Sequence, residues 1–249
     1  MRTKAIILKK QNTNEYDQLI TCYTEEFGKV MGIAKSILKP SSIQSMHLDV
    51  FNLVEFEFVN GLAMPIITGA QAEETYTNLK NDLPSLAVAY FFTETIDRLA
   101  FDYQKDEELW SFLATLISDL NGGGQDVKEF LRIKQIELLD ILGYSPNLRE
   151  CAFCSRTPNA GTVAYNTQAR GIVCGDCFLD GAGGIVVKNG PDFSSSTEDR
   201  KIEDPRFTNR ASREVNREDF MSSPILNGIF ESLVEKKLHS LNLVQTVLQ

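Results

Sequence analysis

The sequence predicts an α+β protein that combines an N-terminal β-barrel, a helical region and an inserted module built around cysteines. Apolar residues alternate with polar ones in the first part of the chain and then recur at helical spacing. Four of the five cysteines form two C-x-x-C pairs. We therefore expect a barrel domain in residues 1–75, a helical domain in 76–150, a metal-binding module in 151–187, and a charged linker with a closing helix in 188–249.

Residues 1–75 contain short strand candidates. The clearest is Val54–Phe58, where three large apolar residues alternate with Glu55 and Glu57 and so mark one buried and one solvated face. Asn60 and Gly61 form a pair that favours a tight hairpin turn. About five short strands in some 70 residues are typical of a small closed barrel such as the OB-fold, which often binds single-stranded nucleic acid. A small β-domain with no role in nucleic-acid binding is the alternative at this point.

The helical domain shows regular apolar spacing and clear end signals. Leu86–Leu99 and Glu107–Leu120 are apolar at helical intervals. A third helix begins at Asp126, which together with Glu129 forms a capping-box pattern, and Gly143 marks its end.

The last part of the chain begins with a change in composition. In residues 188–219 only five of 32 residues are apolar and fifteen are charged, which predicts a solvated linker. The amphipathic segment Ile225–Leu243 follows, and we expect it to pack against the helical domain.

The four paired cysteines predict a metal site. Cys151, Cys154, Cys174 and Cys177 follow the pattern C-x2-C-x19-C-x2-C, which is typical of a tetrathiolate zinc site. Each C-x-x-C pair brings two thiolates onto one tight turn, and two such turns supply four sulfur ligands. Zinc is the first choice, and iron–sulfur ligation is an alternative. A disulfide pair is disfavoured without an export signal, and a redox C-x-x-C does not account for two pairs at this spacing.

The motifs of common enzymes are absent from the sequence. A zinc ion with four protein thiolates has no open position for water, so we expect a structural zinc ion (Zn2+). The two histidines, His47 and His239, stand alone, and neither belongs to a deaminase motif. The chain also lacks the phosphate-binding loop, the nucleophile elbow and the metalloprotease motif. We therefore expect a protein that is not an enzyme.

Charge and hydropathy narrow the class of protein further. The longest apolar run, Leu86–Phe92, has seven residues and is too short to span a membrane. The start of the chain lacks a secretory signal, so we expect a cytoplasmic protein with no membrane partner. The net charge of −9 argues against nucleic-acid binding, but it divides into +3 for residues 1–48, −11 for 49–150 and −1 for 151–249. Any DNA contact is therefore expected in the first 48 residues.

The order of these parts resembles the RecO family of bacterial DNA repair proteins. The most specific stretch is Leu142–Leu148, whose Leu-Gly-Tyr-x-Pro pattern leads from a helix into the first C-x-x-C pair. Further similar stretches are Thr3–Leu8, Asn14–Asp17, Tyr23–Lys29, Gly32–Lys35 and Leu233–Leu243. The resemblance spans nearly the whole chain, from the first strands to the closing helix.

This resemblance implies an OB-fold, a helical domain and a zinc-binding module. It also implies a recombination mediator that binds single- and double-stranded DNA and anneals complementary strands. Members of the family act with RecR and help load RecA onto single strands coated by single-stranded-DNA-binding protein, whose acidic tail they recognise. A zinc-ribbon scaffold for protein interactions, with no direct nucleic-acid binding, is the alternative.

The candidate contact residues are basic and aromatic. Phosphate contacts are expected from the basic residues of the first segment, namely Arg2, Lys4, Lys9, Lys10, Lys29, Lys35 and Lys39. Tyr16, Tyr23 and Phe27 are possible stacking platforms for bases. The acidic tail of the partner is expected to meet basic residues of the third helix, namely Lys128, Arg132 and Lys134.

Overall fold

The structure is a computed structural model. It describes residues 1–145, 147, 150–157, 163–187, 223–234 and 238–248. The chain forms two compact units, one of residues 1–134 with 236–249 and one of residues 135–235. The predicted charged linker at 188–219 lies outside the described residues, and the division of the chain at residues 75, 150 and 187 remains a prediction.

The first unit contains a closed five-stranded barrel. Its strands are β1 (Arg2–Asn12), β2 (Gln18–Thr24), β3 (Gly28–Ala34), β4 (Leu53–Val59) and β5 (Ile66–Glu74). The strands neighbour one another in the order β1-β2-β3-β5-β4, and β4 pairs back with β1 to close the barrel. The pairing of β3 with β5 is parallel, and the other pairs are antiparallel. This arrangement confirms the predicted OB-fold.

Strand β4 shows why the barrel has a single apolar interior. The side chains of Val54, Phe56 and Phe58 are fully buried, while Glu55 and Glu57 lie on the outer face, as the alternation predicts. Large rings fill much of the interior, with the Phe56 and Phe58 ring centroids 5.5 Å apart. Burying these rings supplies much of the hydrophobic stabilisation of so small a domain.

Strands β4 and β5 form an antiparallel hairpin, but the predicted tight turn at Asn60 and Gly61 is wrong. Strand β4 ends at Val59, β5 begins at Ile66, and residues 60–65 form a longer connection between them. The longer connection brings Pro65 beside β3, where its carbonyl oxygen accepts a hydrogen bond from the Ile33 N–H at 2.9 Å. Closing the barrel between β3 and β5 therefore takes precedence over the local turn preference of the Asn-Gly pair.

The loop after β3 is anchored to the barrel at its beginning. Ile37 is only 2% exposed and belongs to the barrel core. The Ser36 N–H donates to the Asp17 carboxylate at 2.6 Å, and the Leu38 N–H donates to the Tyr16 carbonyl oxygen at 3.0 Å. These bonds join the loop after β3 to the loop between β1 and β2.

The predicted helices are present, with the predicted end signals. The helices of the described residues are α1 (Gln44–His47), α2 (Thr77–Asn81), α3 (Leu83–Leu99), α4 (Glu107–Gly122), α5 (Val127–Ile141), α6 (Gly175–Cys177), α7 (Ser223–Val234) and α8 (His239–Val247). The Asp126 carboxylate accepts the N–H groups of Lys128 at 2.9 Å and Glu129 at 3.3 Å, which caps α5. After α5, Gly143 adopts a φ of +71°, a left-handed conformation that ends the helix without strain. None of the helices in the described part of the chain is long and apolar enough to cross a membrane.

The predicted C-terminal segment forms two helices, of which α8 packs against α3 in the first unit. Glu94 of α3 caps α8 across a long sequence separation. Its carboxylate accepts hydrogen bonds from the Ser240 N–H at 2.8 Å, the Ser240 hydroxyl at 2.6 Å and the His239 N–H at 3.2 Å. Burial opposes ionisation of Glu94, but these bonds outweigh it and lower the pKa of the carboxyl group.

The second unit contains a three-stranded sheet in the order β7-β6-β8. Its strands are β6 (Val163–Asn166), β7 (Gly171–Val173) and β8 (Ile185–Val187). Strands β6 and β7 form an antiparallel hairpin, and the π-helical turn Phe178–Ala182 leads through Gly183 and Gly184 into β8. A Cβ atom at Gly184 would lie 2.8 Å from the Tyr165 carbonyl oxygen, so glycine permits this close approach to β6.

Candidate metal centre and nucleic-acid interface

Two tight turns present the four cysteines of the second unit. In the first turn the Ser155 N–H donates to the Cys151 carbonyl oxygen at 2.9 Å, and in the second the Phe178 N–H donates to the Cys174 carbonyl oxygen at 2.9 Å. The Ala152 N–H donates to the Ile172 carbonyl oxygen of β7 at 2.8 Å, which ties the first turn to the strand that leads into Cys174. The hairpin therefore closes the gap of nineteen residues between the two pairs.

The four sulfur atoms form one compact cluster. The ligand atoms of Cys151, Cys154, Cys174 and Cys177 all lie within 4.8 Å of one another, and the Sγ atoms of Cys154 and Cys174 are 3.7 Å apart. Four bonds of about 2.3 Å in a tetrahedron place neighbouring sulfurs about 3.8 Å apart. The Cys174 N–H also points at the Cys151 Sγ at 3.4 Å, a bond that stabilises a thiolate. The four cysteines therefore fit one metal ion with tetrahedral coordination.

The pKa values of two of the four thiols differ in a way that favours a bound cation. Burial acts to raise the pKa of Cys151, but N–H groups that include those of Cys174 and Cys154 outweigh it and lower the pKa to about 6. The pKa of Cys177 is raised to about 12, first by its hydrogen bond with Cys174 and then by burial and the other sulfurs. One thiol ionises readily while another resists a further negative charge. A divalent cation at the centre would allow all four to ionise.

The donor set restricts what such an ion could do. Four thiolates are the ligands of structural zinc sites, and they fill the tetrahedral positions that a catalytic site would leave open for water. The module therefore fits an ion that holds its two cysteine turns together.

The predicted DNA-contacting cations fall into two groups. Five of the seven form ion pairs with carboxylates of the first unit: Arg2 with Glu55, Lys4 with Glu73 at 2.8 Å, Lys9 with Asp97 at 3.8 Å, Lys10 with Asp49 at 2.6 Å, and Lys29 with Asp102 at 3.2 Å. These carboxylates partly neutralise the positive charge that phosphates would otherwise meet.

The other two cations, Lys35 and Lys39, lie in the loop after β3. Within the described part of the chain, neither lysine forms an ion pair with a carboxylate, although Asp17 is close enough for both to lower its pKa slightly. The Lys39 Nζ lies 5.4 Å from the centroid of the Tyr16 ring, and Tyr16 is 49% exposed. A lysine over an exposed ring combines a phosphate contact with a surface on which a base can stack.

The three aromatic candidates have different environments. Tyr23 is 1% exposed, and the Phe27 and Phe58 rings pack in a T-shaped arrangement at a centroid distance of 5.5 Å. Of the three, only Tyr16 is largely exposed. Exposed apolar residues also lie in the strand and loop regions, with Met31 39% exposed and Leu62 fully exposed, and neither exposure was predicted. An apolar residue in a strand or beside a turn resembles a core residue in sequence, so no local signal identifies its exposure.

The three basic candidates of α5 are engaged with their own helix and its neighbours. The Arg132 Nε donates to the Glu129 carboxylate at 2.9 Å. The Lys134 Nζ lies 5.7 Å from the Phe112 ring centroid and 5.8 Å from that of Phe130. Lys128 is exposed near the start of the helix.

Comparison with known proteins identifies the family. The family model "Recombination protein O N terminal" matches residues 1–76, and "Recombination protein O C terminal" matches residues 80–190. Curated relatives named DNA repair protein RecO include one from Dehalococcoides mccartyi strain BAV1, which is 31% identical over 176 residues that cover 71% of this chain and 69% of the relative. Those from Roseiflexus sp. RS-1 and Listeria monocytogenes are 30% and 25% identical, each over 71% of this chain, and the matches cover 62% and 68% of the relatives. With both parts of the family matched around a barrel and a four-cysteine cluster, this chain belongs to the RecO family of DNA repair proteins.

Proposed function

We propose that this chain is a recombination mediator that binds single- and double-stranded DNA and anneals complementary strands. We further propose that it acts with RecR to help load RecA onto single strands coated by single-stranded-DNA-binding protein. The observation that carries the DNA-binding part is the exposed Tyr16 ring with the Lys39 Nζ over it, on an OB-fold barrel. We propose no catalytic role, and we propose that the protein works in the cytoplasm.

The DNA contact is proposed for the loop surface, which we define as Tyr16, Met31, Lys35, Lys39 and Leu62. OB-folds bind single strands on the face of strands 2 and 3 and on the loops that connect strands 1 to 2 and 4 to 5. Tyr16 and Leu62 lie in those two loops, and Met31 lies on β3. Bases would stack on Tyr16 and the exposed apolar side chains, while Lys35 and Lys39 would contact phosphates.

The ion pairs of the other five cations limit the strength of DNA binding. A lysine that already neutralises a carboxylate releases fewer counterions when it meets a phosphate, so its contribution to affinity is small. The same ion pairs, with a net charge of −9, are the observation that favours the alternative of a protein-interaction scaffold. We therefore propose that DNA binding by the chain alone is weak and salt-sensitive, and that RecR strengthens it.

Labelled complementary strands distinguish the two functions. The test measures binding to single strands, and the rate of annealing, across a salt series with and without RecR. A mediator is expected to bind at low salt, to lose affinity as salt rises, and to anneal strands faster than they anneal alone. Binding that does not depend on salt, or no binding at low salt even with RecR, would favour the scaffold.

We propose that the cysteine cluster holds one structural zinc ion through Cys151, Cys154, Cys174 and Cys177. The fit of the sulfur spacing to a tetrahedron supports this proposal. Elemental analysis is expected to find one zinc per chain, and X-ray absorption is expected to find four sulfur neighbours. Iron in place of zinc, or a ligand shell with an oxygen in it, would contradict the proposal.

We propose that the acidic tail of single-stranded-DNA-binding protein contacts Lys128, Arg132 and Lys134 on α5. The tail would compete with Glu129 for Arg132, because both offer carboxylates to the same guanidinium. A fluorescent peptide with the sequence of the tail is expected to bind the chain and to bind Lys128→Ala/Lys134→Ala more weakly. Equal affinity for both proteins would contradict this assignment.

A further inference from the structure

The connection between α3 and α4 exposes two aromatic side chains. Phe101 is 75% exposed and Tyr103 is 52% exposed. Exposed aromatic rings are common at protein–protein contacts, where they supply a large apolar area from a side chain with few rotatable bonds. We define the aromatic loop as residues 101–105.

The backbone of the aromatic loop is held against the barrel. The Tyr103 N–H donates to the Lys29 carbonyl oxygen of β3 at 2.9 Å, and the Lys29 Nζ donates to the Asp97 carbonyl oxygen at 2.7 Å. Gly28 makes this approach possible, because a Cβ atom there would lie 1.9 Å from the Gln104 carbonyl oxygen. Tyr103 adopts a φ of +58°, an unusual conformation for an aromatic residue that the surrounding bonds maintain. The rings are therefore exposed on a fixed backbone.

The surroundings of the aromatic loop are acidic. Carboxylates in or beside it are those of Glu25, Glu26, Asp102, Asp106 and Glu107. The nearby cations are Lys29, which is 14% exposed and paired with Asp102, and Lys105, which lies 3.1 Å from Glu107. This charge repels polyanions and favours a basic partner.

The aromatic loop and the two lysines of the loop surface lie at opposite ends of β3. Gly28 and Lys29, which contact the aromatic loop, begin the strand, and Ala34 ends it just before Lys35. A strand of seven residues spans about 20 Å. A partner at one end would therefore leave the other end open to DNA.

We propose that the aromatic loop is the docking surface for RecR, through a basic segment whose apolar side chain packs against Phe101 and Tyr103. This inference rests on the proposed function, in which RecR is a partner. The other proposed ligands, DNA and the acidic tail of single-stranded-DNA-binding protein, are anionic, and the carboxylates around the loop disfavour both. A protein surface with lysine or arginine matches the loop in charge, and its apolar side chain matches the rings.

The test titrates full-length RecR into the full-length chain and compares Phe101→Ser/Tyr103→Ser with the wild type by calorimetry. The double variant is expected to lose about tenfold or more in affinity for RecR, since exposed aromatic anchors dominate such contacts. Leu83→Ser is the matched control, because Leu83 is 55% exposed, close to the exposure of Tyr103, and lies outside the loop. Thermal unfolding and metal content are compared to verify that both variants are folded.

Two further measurements test the chemistry of the docking surface. Glu26→Lys/Glu107→Lys is expected to weaken RecR binding several-fold, because it removes two of the carboxylates that would face the basic segment. DNA binding without RecR is expected to be the same in Phe101→Ser/Tyr103→Ser as in the wild type.

The outcomes separate this inference from the proposed function. If RecR binds the double aromatic variant as tightly as the wild type, the docking surface is wrong and the partnership stands. If RecR does not bind the wild type, the partnership fails and the inference fails with it. If the double variant loses DNA affinity and keeps RecR affinity, the aromatic loop is a DNA contact and the inference is overturned.

Discussion

The cysteine cluster and the DNA-contacting cations of the first unit were both predicted from the sequence. In the structure the four cysteines come together as predicted, whereas most of the cations are paired with carboxylates. The fold gathers all four sulfurs within 4.8 Å of one another. It leaves two of seven cations free of ion pairs in the described chain and pairs the other five with carboxylates. Ligand spacing along the chain is a local property that survives folding. The effective charge of a lysine depends on which strand or helix becomes its neighbour.

The largest expected effect comes from removing one sulfur of the cluster. Cys151→Ala is expected to release the metal and to destabilise the second unit by several kcal/mol, because metal binding and folding of such modules are coupled at about 10 kcal/mol or more. Metal content after dialysis against a chelator and thermal unfolding measure this effect.

Cys22→Ala provides the matched control for that change. Cys22 is a fully buried thiol of the barrel core, and burial strongly raises its pKa. Its replacement is expected to cost about 1 kcal/mol and to leave the metal content unchanged. Equal metal retention in the Cys151 and Cys22 variants would show that the cluster does not bind the ion.

The next largest effect is expected on single-strand affinity, when the cations without an ion pair are replaced instead of the paired ones. Lys35→Ala/Lys39→Ala is expected to lower single-strand affinity about tenfold, since each lost phosphate contact costs on the order of 0.5–1 kcal/mol. Arg2→Ala/Lys4→Ala removes the same formal charge but also frees Glu55 and Glu73 from ion pairs. If the ion pairs do not limit these cations, the two double variants will lose affinity equally in fluorescence anisotropy.

The salt dependence of the wild type gives an independent measure of the same comparison. Two phosphate contacts give a slope of about −1.4 in a plot of log affinity against log salt, and seven give about −5. A threefold rise in salt is then expected to weaken binding about fivefold, compared with about 200-fold for seven contacts. A slope near −5 would mean that phosphates displace the carboxylates from all five paired cations.

The smallest expected effect concerns Asp17, the carboxylate beside the two free lysines. Asp17→Asn is expected to raise single-strand affinity about two- to threefold, because it removes a negative charge next to Lys35 and Lys39 while an amide oxygen can still accept the Ser36 N–H. Unchanged affinity would show that solvent already screens this charge.

The pH dependence of Asp17 has a definite sign. Hydrogen bonds from the Ser36 N–H and the Asn14 amide lower the pKa of this carboxyl group. A lowered pKa means that its support of the loop is complete above its ordinary pKa and is lost as the pH falls through the lowered value. Single-strand affinity is therefore expected to be constant from about pH 6 to 8.

Features encoded within a few residues were predictable, whereas the partner that an individual side chain meets in a distant part of the chain was not. The alternation in β4, the caps of α5 and the two C-x-x-C turns each depend on local spacing, and the structure contains all of them. The tight turn predicted at Asn60-Gly61 is absent, because the connection from β4 to β5 is longer and brings Pro65 beside β3.

Within the candidate site, the ion pairs of the cations also could not be predicted from the sequence. Lys29 meets Asp102, a residue more than seventy positions away, and no pattern near Lys29 indicates this partner. Strand β8 was missed because three residues are too few to show a period, although Ile185, Val186 and Val187 are all β-branched. The exposure of Phe101 and Tyr103 likewise depends on how the loop meets the barrel, which composition does not reveal.

The cap that Glu94 provides for α8 has a consequence for biosynthesis. Glu94 and Ser240 are 146 positions apart, and the second unit lies between them in sequence. At about 5–20 residues per second, a ribosome needs roughly 7–30 s to make that interval. During this time the surface of α3 that later packs against α8 is not covered by that helix. An apolar surface left uncovered in the nascent chain is exposed to aggregation until the last helix is synthesised.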